Sequence, residues 1–453
     1  MEKADEGEQS VSRLAPATGA QPRSGPSLWP RRLLGPLPGI KEINLICWGL
    51  FVVCLLAPYC VFLWIRVRQG AACDFVFFYG IGRLFNAHPS TSLYNVGLQL
   101  RTFDHILVLH HTKYGPSPYP PFVAQFFSLL AGFSFRTAFL IWLVISLALY
   151  LLGVSLIAAG AFPGKRVERS LVFCLALSFC PFVFHTLADG QIASIGFCAI
   201  SCAIFLDRRN KPILSGLALS ILTYKPTLLI LLLPMLLVTR RLKTLLGFAG
   251  GAVLLLLEVT LVEGPGIWPA YLRLIAAFQR LTAAHGQLPL RYWQFVDLNS
   301  LTHAIPSGRS QFALGFTIAV AVGVVVWLAS LLWRSPAMGQ QTQMLVWATV
   351  LTWTLLLNVY VPIYDSANAV IAVTLTLGAL QQLEWFKAMR WMVALAVLIF
   401  AVSWFTVFVA QRYYIQPLTV VLFFFGLLQL AILRRAIQSC AAERKLSLEP
   451  AQA

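Results

Sequence analysis

Between about residues 43 and 433 the chain alternates long apolar runs with short polar segments, and this alternation sets its architecture. The runs fall near 43–65, 138–160, 170–187, 191–206, 243–262, 310–333, 342–360, 366–382, 391–410 and 417–433. A further pair, 212–223 and 226–238, is interrupted at Tyr224-Lys225-Pro226, where the proline removes a backbone donor and breaks a helix. Many runs approach the ~20 apolar residues that a bilayer-spanning helix needs. Lipid offers unpaired backbone groups no partner, so the spans are expected to be helices. The pattern predicts an all-α integral membrane protein with about 11–13 transmembrane helices.

Two stretches stand outside this rhythm. Residues 66–121 read as a first large outer loop and 263–309 as a second. A plain connector needs only a few residues, so the first loop is there for another reason. Within it, residues 75–87 set apolar side chains on one broad helical face around Arg83, predicting a short helix in the membrane interface. Prolines 116, 118, 120 and 121 then keep the chain extended, and the following run, 122–135, is short for a full span and either re-enters on the same side or crosses and inverts the parity downstream.

Composition supports the membrane reading. The 453 residues are 58% hydrophobic and 11% charged, with a mean hydropathy of +0.76, whereas soluble domains carry about 25% charged residues. The net charge of +17 does not imply nucleic acid, because Lys and Arg are dispersed in short clusters between apolar runs, as retained cytoplasmic loops require. The nine cysteines form no CxxC pair or metal spacing, and Cys73, beside Asp74, is the one whose position draws notice. Residues 1–41 read as a disordered cytoplasmic tail, 42–435 as one transmembrane domain and 436–453 as a second cytoplasmic tail.

Charge also orients the chain. Arg13, Arg23, Arg31, Arg32 and Lys41 precede the first span and are expected to hold the N-terminus in the cytoplasm; Arg66 and Arg68 beyond it oppose this. With 122–135 re-entrant, the basic clusters at 165–169, 207–211, 240–243, 387–390 and 434–445 fall on the cytoplasmic side. Asp74, Asp189-Gly190-Gln191, Lys225, the 263–309 loop and Tyr364-Asp365 then share the outer face.

These outer residues are the candidates for chemistry. Asp74, a few residues beyond the first span, is a candidate general base and equally a cap for the helix beginning at Phe75. Lys225, in otherwise apolar sequence, is a candidate phosphate ligand or a snorkelling lysine. Asp189 and Gln191 form a polar turn able to bind a sugar, or simply a hairpin turn, and Asp365 is a candidate acceptor ligand or a helix cap. Arg83 and Arg291 are phosphate-binding candidates by charge, along with Arg101 and Lys113, and the segment 291–295 (RYWQF) is able to stack on a sugar or to form an aromatic belt. The histidines at 88, 105, 110, 111, 285 and 303 read as loop residues. His110-His111 is not a helical metal-ligand spacing; no metal is required, although a divalent cation beside Asp74 is compatible with the sequence.

The motifs Asp74-Phe75, Phe78-Tyr79, Gly82-Arg83, Leu93-Tyr94 and Tyr119-Pro120-Pro121-Phe122, followed by Gly190-Gln191, Gly216, Lys225-Pro226 and the run from Asn358 to Asp365, resemble glycosyltransferase family 87 in order and spacing over residues 43–385. The resemblance implies a GT-C-type bundle in a bacterial inner membrane, with its active site facing outside or the periplasm. It implies a polyprenyl-phosphate sugar donor, usually mannose, a lipid or glycan acceptor, and inversion at a β-linked donor. It also implies Asp74 as the base and Lys225 near the donor phosphate; Tyr119 joins Gln191, Asp189 and Asp365 as a sugar- or acceptor-binding candidate. The loop after Pro121, with Gln125 and Arg136, and the 263–309 loop are distinctive, which leaves the acceptor open. The rival readings are a secondary transporter or flippase for a lipid-linked or anionic substrate, which also uses broken helices and lone ionisable groups, and a membrane scaffold.

Overall fold

The computed structural model describes residues 39–69, 74–87, 90–106, 115–284, 291–304, 310–333, 338–359 and 361–448. Cys73, His88, His110, His111, Lys113 and His285 lie outside these residues. Among the described residues the chain is helical, and its β-like feature is one isolated bridge between Phe295 and Pro362.

The first span, α1 (Ile40–Arg68), has no fully buried residue. It is tied to the bundle by Trp48 Nε1 donating to Ser170 Oγ at 2.9 Å and Tyr59 Oη donating to the Val183 carbonyl at 2.8 Å. The outer loop then folds into α2 (Phe75–Ala87), α3 (Val96–Ile106) and α4 (Pro121–Leu130). The expected helix at 75–87 forms, but its apolar side chains meet protein: Phe75, Val76, Phe78, Ile81 and Leu84 are all buried. Phe75 and Phe78 pack on Phe127 of α4 at ring separations of 6.1 and 5.1 Å. The 10 residues of α4 rise about 15 Å, half the hydrocarbon thickness, so α4 is too short to cross.

The bundle continues through α5 (Phe135–Ala161), α6 (Arg166–Leu177) with the bent segment Pro181–Ala188, and α7 (Ala193–Arg208). Next come α8 (Pro212–Ser220), α9 (Leu232–Val238), α10 (Leu242–Glu263) and, over the outer loop, α11 (Ile267–Ala284) and α12 (Leu298–His303). The last elements are α13 (Ser310–Trp333), α14 (Gln340–Leu356), α15 (Ala369–Gln382), α16 (Phe386–Ser403), α17 (Thr406–Tyr413) and α18 (Pro417–Leu448). The last helix runs past 436, where a tail was expected.

Among the described residues seven helices are long and apolar enough to cross a membrane, eight if the bent pair at 166–188 counts as one span. The expected 11–13 included helices of 16 and 17 residues at α7 and α14 and the pair broken at Lys225, which are apolar but shorter. The span Ile363–Gln382 is 89% buried and forms the centre of the bundle.

One crossing is set by glycine. A Cβ at Gly216 of α8 would lie 2.0 Å from the Thr244 carbonyl oxygen, and one at Gly247 of α10 would lie 2.1 Å from that of Ile213. The two backbones touch, and no side chain fits between them. Gly216→Val is therefore expected to cost about 1–3 kcal/mol of stability, read as a lowered melting temperature in detergent. Gly250→Ala, on the same α10 but with nothing within 4 Å, should leave it unchanged.

Candidate active site

The site is built on the turn Asp189-Gly190-Gln191. Gly190 has φ +70°, and a Cβ there would stand 2.6 Å from Phe75 Cβ, so the turn requires glycine. Its carbonyl accepts from Trp142 Nε1 at 3.0 Å, and the Asp189 carbonyl accepts from the Phe75 amide at 3.1 Å. The turn is thereby locked to the first residue of α2. Gln191 Nε2, held within the bundle, donates to Asp74 Oδ2.

Asp74 thus has a partner 117 residues away in sequence. Arg66, near the end of α1, also acts on it electrostatically. Burial raises the Asp74 carboxyl above the ordinary carboxylate range; the Gln191 hydrogen bond and Arg66 pull it only part of the way back. The sequence alone suggested no ion partner for Asp74, and Arg66 served only as an orientation charge. The fold gives it a second role: its Nη2 lies 3.1 Å from Asp189 Oδ1.

Asp74 and Gln191 line a cavity of about 270 Å³ together with Phe77, Tyr119 and Tyr364. One wall is the extended stretch 115–119 that the prolines predict. It is fastened by buried Gln99, whose Oε1 accepts from the Ser117 amide at 2.8 Å while its Nε2 donates to the Leu93 carbonyl at 2.7 Å. The phenols of Tyr119 and Tyr364 lie close enough to influence one another's charge. Burial, with the charges of Asp365 and Asp74, keeps the Tyr119 phenol protonated.

Lys225 and Asp365 come together as an ion pair behind Tyr364, whose ring lies 4.8 Å from Lys225 Nζ. Lys225 is half-buried at the break between two 3₁₀ turns, Ile221–Tyr224 and Pro226–Leu229. Asn358 Nδ2 donates to the Thr227 carbonyl at 2.8 Å, supporting the interrupted backbone. Asp365 is 1% exposed, with Oδ1 buried and unpartnered.

Arg83 and Arg291 are exposed and do not line the cavity. Arg83 is nine residues along from Asp74, roughly 13 Å of helix. The aromatic segment 291–295 is occupied structurally. Tyr292 stacks on His303 at 5.3 Å, and the Trp293 and Phe295 carbonyls accept from Gln416 Nε2 at 2.8 and 3.1 Å. Asp297, which the sequence reading passed over, accepts from the Val361 amide at 2.7 Å and from the Ser300 amide at 2.7 Å. It clamps the second outer loop to the 361–365 segment. Its N-cap spacing to Ser300 was the available signal. Among the described residues no group of three His, Cys, Asp or Glu side chains is arranged to hold a metal ion.

A multispanning helical membrane protein with a carboxylate in the wall of a small cavity is the class that fold and site define. The family model for glycosyltransferase family 87 matches residues 118–358, just over half of the chain, and the chain belongs to that family. It is a membrane glycosyltransferase. The matched stretch includes Tyr119, Gln191 and Lys225, whereas Asp74 and Asp365 lie outside it. No curated protein and no solved structure matches the chain.

Proposed function

We propose that the protein moves a sugar, mannose by its family resemblance, from a polyprenyl-phosphate donor to a hydroxyl of a lipid or glycan acceptor at the outer face of a bacterial inner membrane. The observation that carries this reading is Asp74 in the wall of a small cavity, hydrogen-bonded to a buried Gln191 whose Oε1 has no partner. A buried orphan acceptor is costly, and a sugar hydroxyl donating to it would relieve that cost. Ligand pockets of ~300–1,000 Å³ take drug-sized molecules, so a cavity of about 270 Å³ suits one sugar residue.

The reaction is a single displacement. An acceptor hydroxyl attacks the anomeric carbon and passes its proton to Asp74 as the new C–O bond forms. The bond from that carbon to the phosphate oxygen breaks, and polyprenyl phosphate departs with the electron pair. Its charge is met by Lys225, which Asp365 shares. Raising the carboxyl by burial makes it a stronger proton acceptor, as a base working near neutral pH requires.

The test is turnover in lipid nanodiscs supplied with synthetic polyprenyl-phosphate β-mannose and a panel of lipid and glycan acceptors. The expected result is an α-linked product with stoichiometric polyprenyl phosphate. No product with any polyprenyl-linked sugar, combined with movement of such a lipid across proteoliposomes, would sink the reading and favour the transporter.

A further inference from the structure

Behind the catalytic carboxylate lies a second one. Asp189 and Asp74 are neighbours because the Asp189 carbonyl caps the Phe75 amide at 3.1 Å and Gln191, two residues on, binds Asp74. Arg66 is paired with Asp189, its Nη2 3.1 Å from Asp189 Oδ1, and its charge is felt at Asp74 beyond contact distance. The other titratable groups facing Asp189 are His185, with Nδ1 3.8 Å from Oδ2, and the Tyr59 phenol. Those facing Asp74 are Asp189, Tyr119 and Tyr364. Among the described residues the charges on this cluster are therefore two carboxylates and one fixed guanidinium, with a histidine at its edge.

We propose that Asp189 is a positioning residue for the base, competing with Asp74 for the single guanidinium of Arg66 and so setting the pH at which Asp74 is free to accept a proton. The inference rests on the reading of Asp74 as general base. Two carboxylates around one cation do not both ionise freely, and their titrations belong to the pair. Burial and the charge of Asp74 push Asp189 up to about 7, against the pull of Arg66, so its charge changes where a base would work. When Asp74 takes the acceptor's proton and loses its charge, Arg66 remains matched by Asp189 alone.

The signs of the substitutions are opposite. Asp189→Asn removes the competitor and leaves Arg66 to Asp74, so Asp74 holds its charge to lower pH. The acidic limb of the kcat/KM profile should move down by about one pH unit. Arg66→Gln removes the cation, and the limb should move up by a similar amount. The double variant should fall between them, and Arg66→Lys should recover most of the wild-type profile. A purely structural role would lower kcat without moving the limb. Both single variants leaving the limb in place, or moving it the same way, would overturn the proposal.

A second readout does not depend on activity. The infrared C=O band of protonated Asp74, identified by its loss in Asp74→Asn, should titrate lower in Asp189→Asn and higher in Arg66→Gln. If that band shifts as stated while no sugar transfer is found, the pairing stands and the transferase mechanism fails. If transfer is found and the band does not shift, the pairing fails alone.

Discussion

Asp74→Asn is expected to lower sugar transfer by about 10²–10⁴-fold, the range a positioned general base supplies. The substitution keeps the shape of the side chain. Its amide oxygen still accepts from Gln191 Nε2, and the Phe75–Asp189 backbone bond is untouched, so the fold should survive. The loss should appear in kcat, with the donor binding as before, because the proton is transferred in the transition state and not in the bound ground state. Asp74→Glu offers a graded comparison: it retains the carboxylate but moves it by one methylene, and a displacement of ~1 Å can cost ~10²-fold. Transfer within tenfold of wild type in Asp74→Asn would remove Asp74 from the mechanism.

The second large effect is expected at Lys225. Lys225→Met strands Asp365, 1% exposed, without its cation. Breaking a buried pair from one side typically costs ~3–5 kcal/mol, and the melting temperature in detergent should fall accordingly. The double variant Lys225→Met, Asp365→Asn removes both charges and should recover most of that stability, since no ion is left buried. It should not recover transfer: with no ammonium to meet the departing phosphate, KM for the donor stays high and kcat stays low. Recovery of both stability and turnover would reduce the pair to a structural role. The cycle separates the two because one readout follows the burial of charge and the other follows its availability.

What the sequence made legible and what it hid divide along a physical line. Hydropathy placed the long spans because a membrane helix must be apolar along its length, and α5, α10, α13 and α18 lie where the runs predict. Local chemistry also read true at Gly190, where a tight turn needs positive φ, and at Pro226, where the helix breaks. Partnerships between distant residues were not readable. Lys225 and Asp365 are 140 positions apart, and Arg66 and Asp189 are 123 apart. Arg66 counts in sequence as one more charge at the end of a span, whereas in the fold it pairs with Asp189 and its charge is felt at Asp74. Arg83 and Arg291 carry the same charge and face outward. Charge alone names candidates, and only the path of the chain sorts them. The buried polar residues Gln99 and Gln416, which fasten the outer loops, were overlooked because nothing in their local pattern separates a staple from a solvated side chain, whereas Asp297 offered only its N-cap spacing.

The engaged state of Lys225 bears on the end of the catalytic cycle. An incoming lipid phosphate would meet an ammonium already satisfied by Asp365, so it would be seated by exchanging one anion for another and not by filling an empty hole. Its net grip would be the difference between two favourable contacts, and the resident acid would stand ready to reclaim the lysine. A spent carrier would be eased out by the same side chain that admitted it, which suits a carrier that must return to the bilayer for reloading.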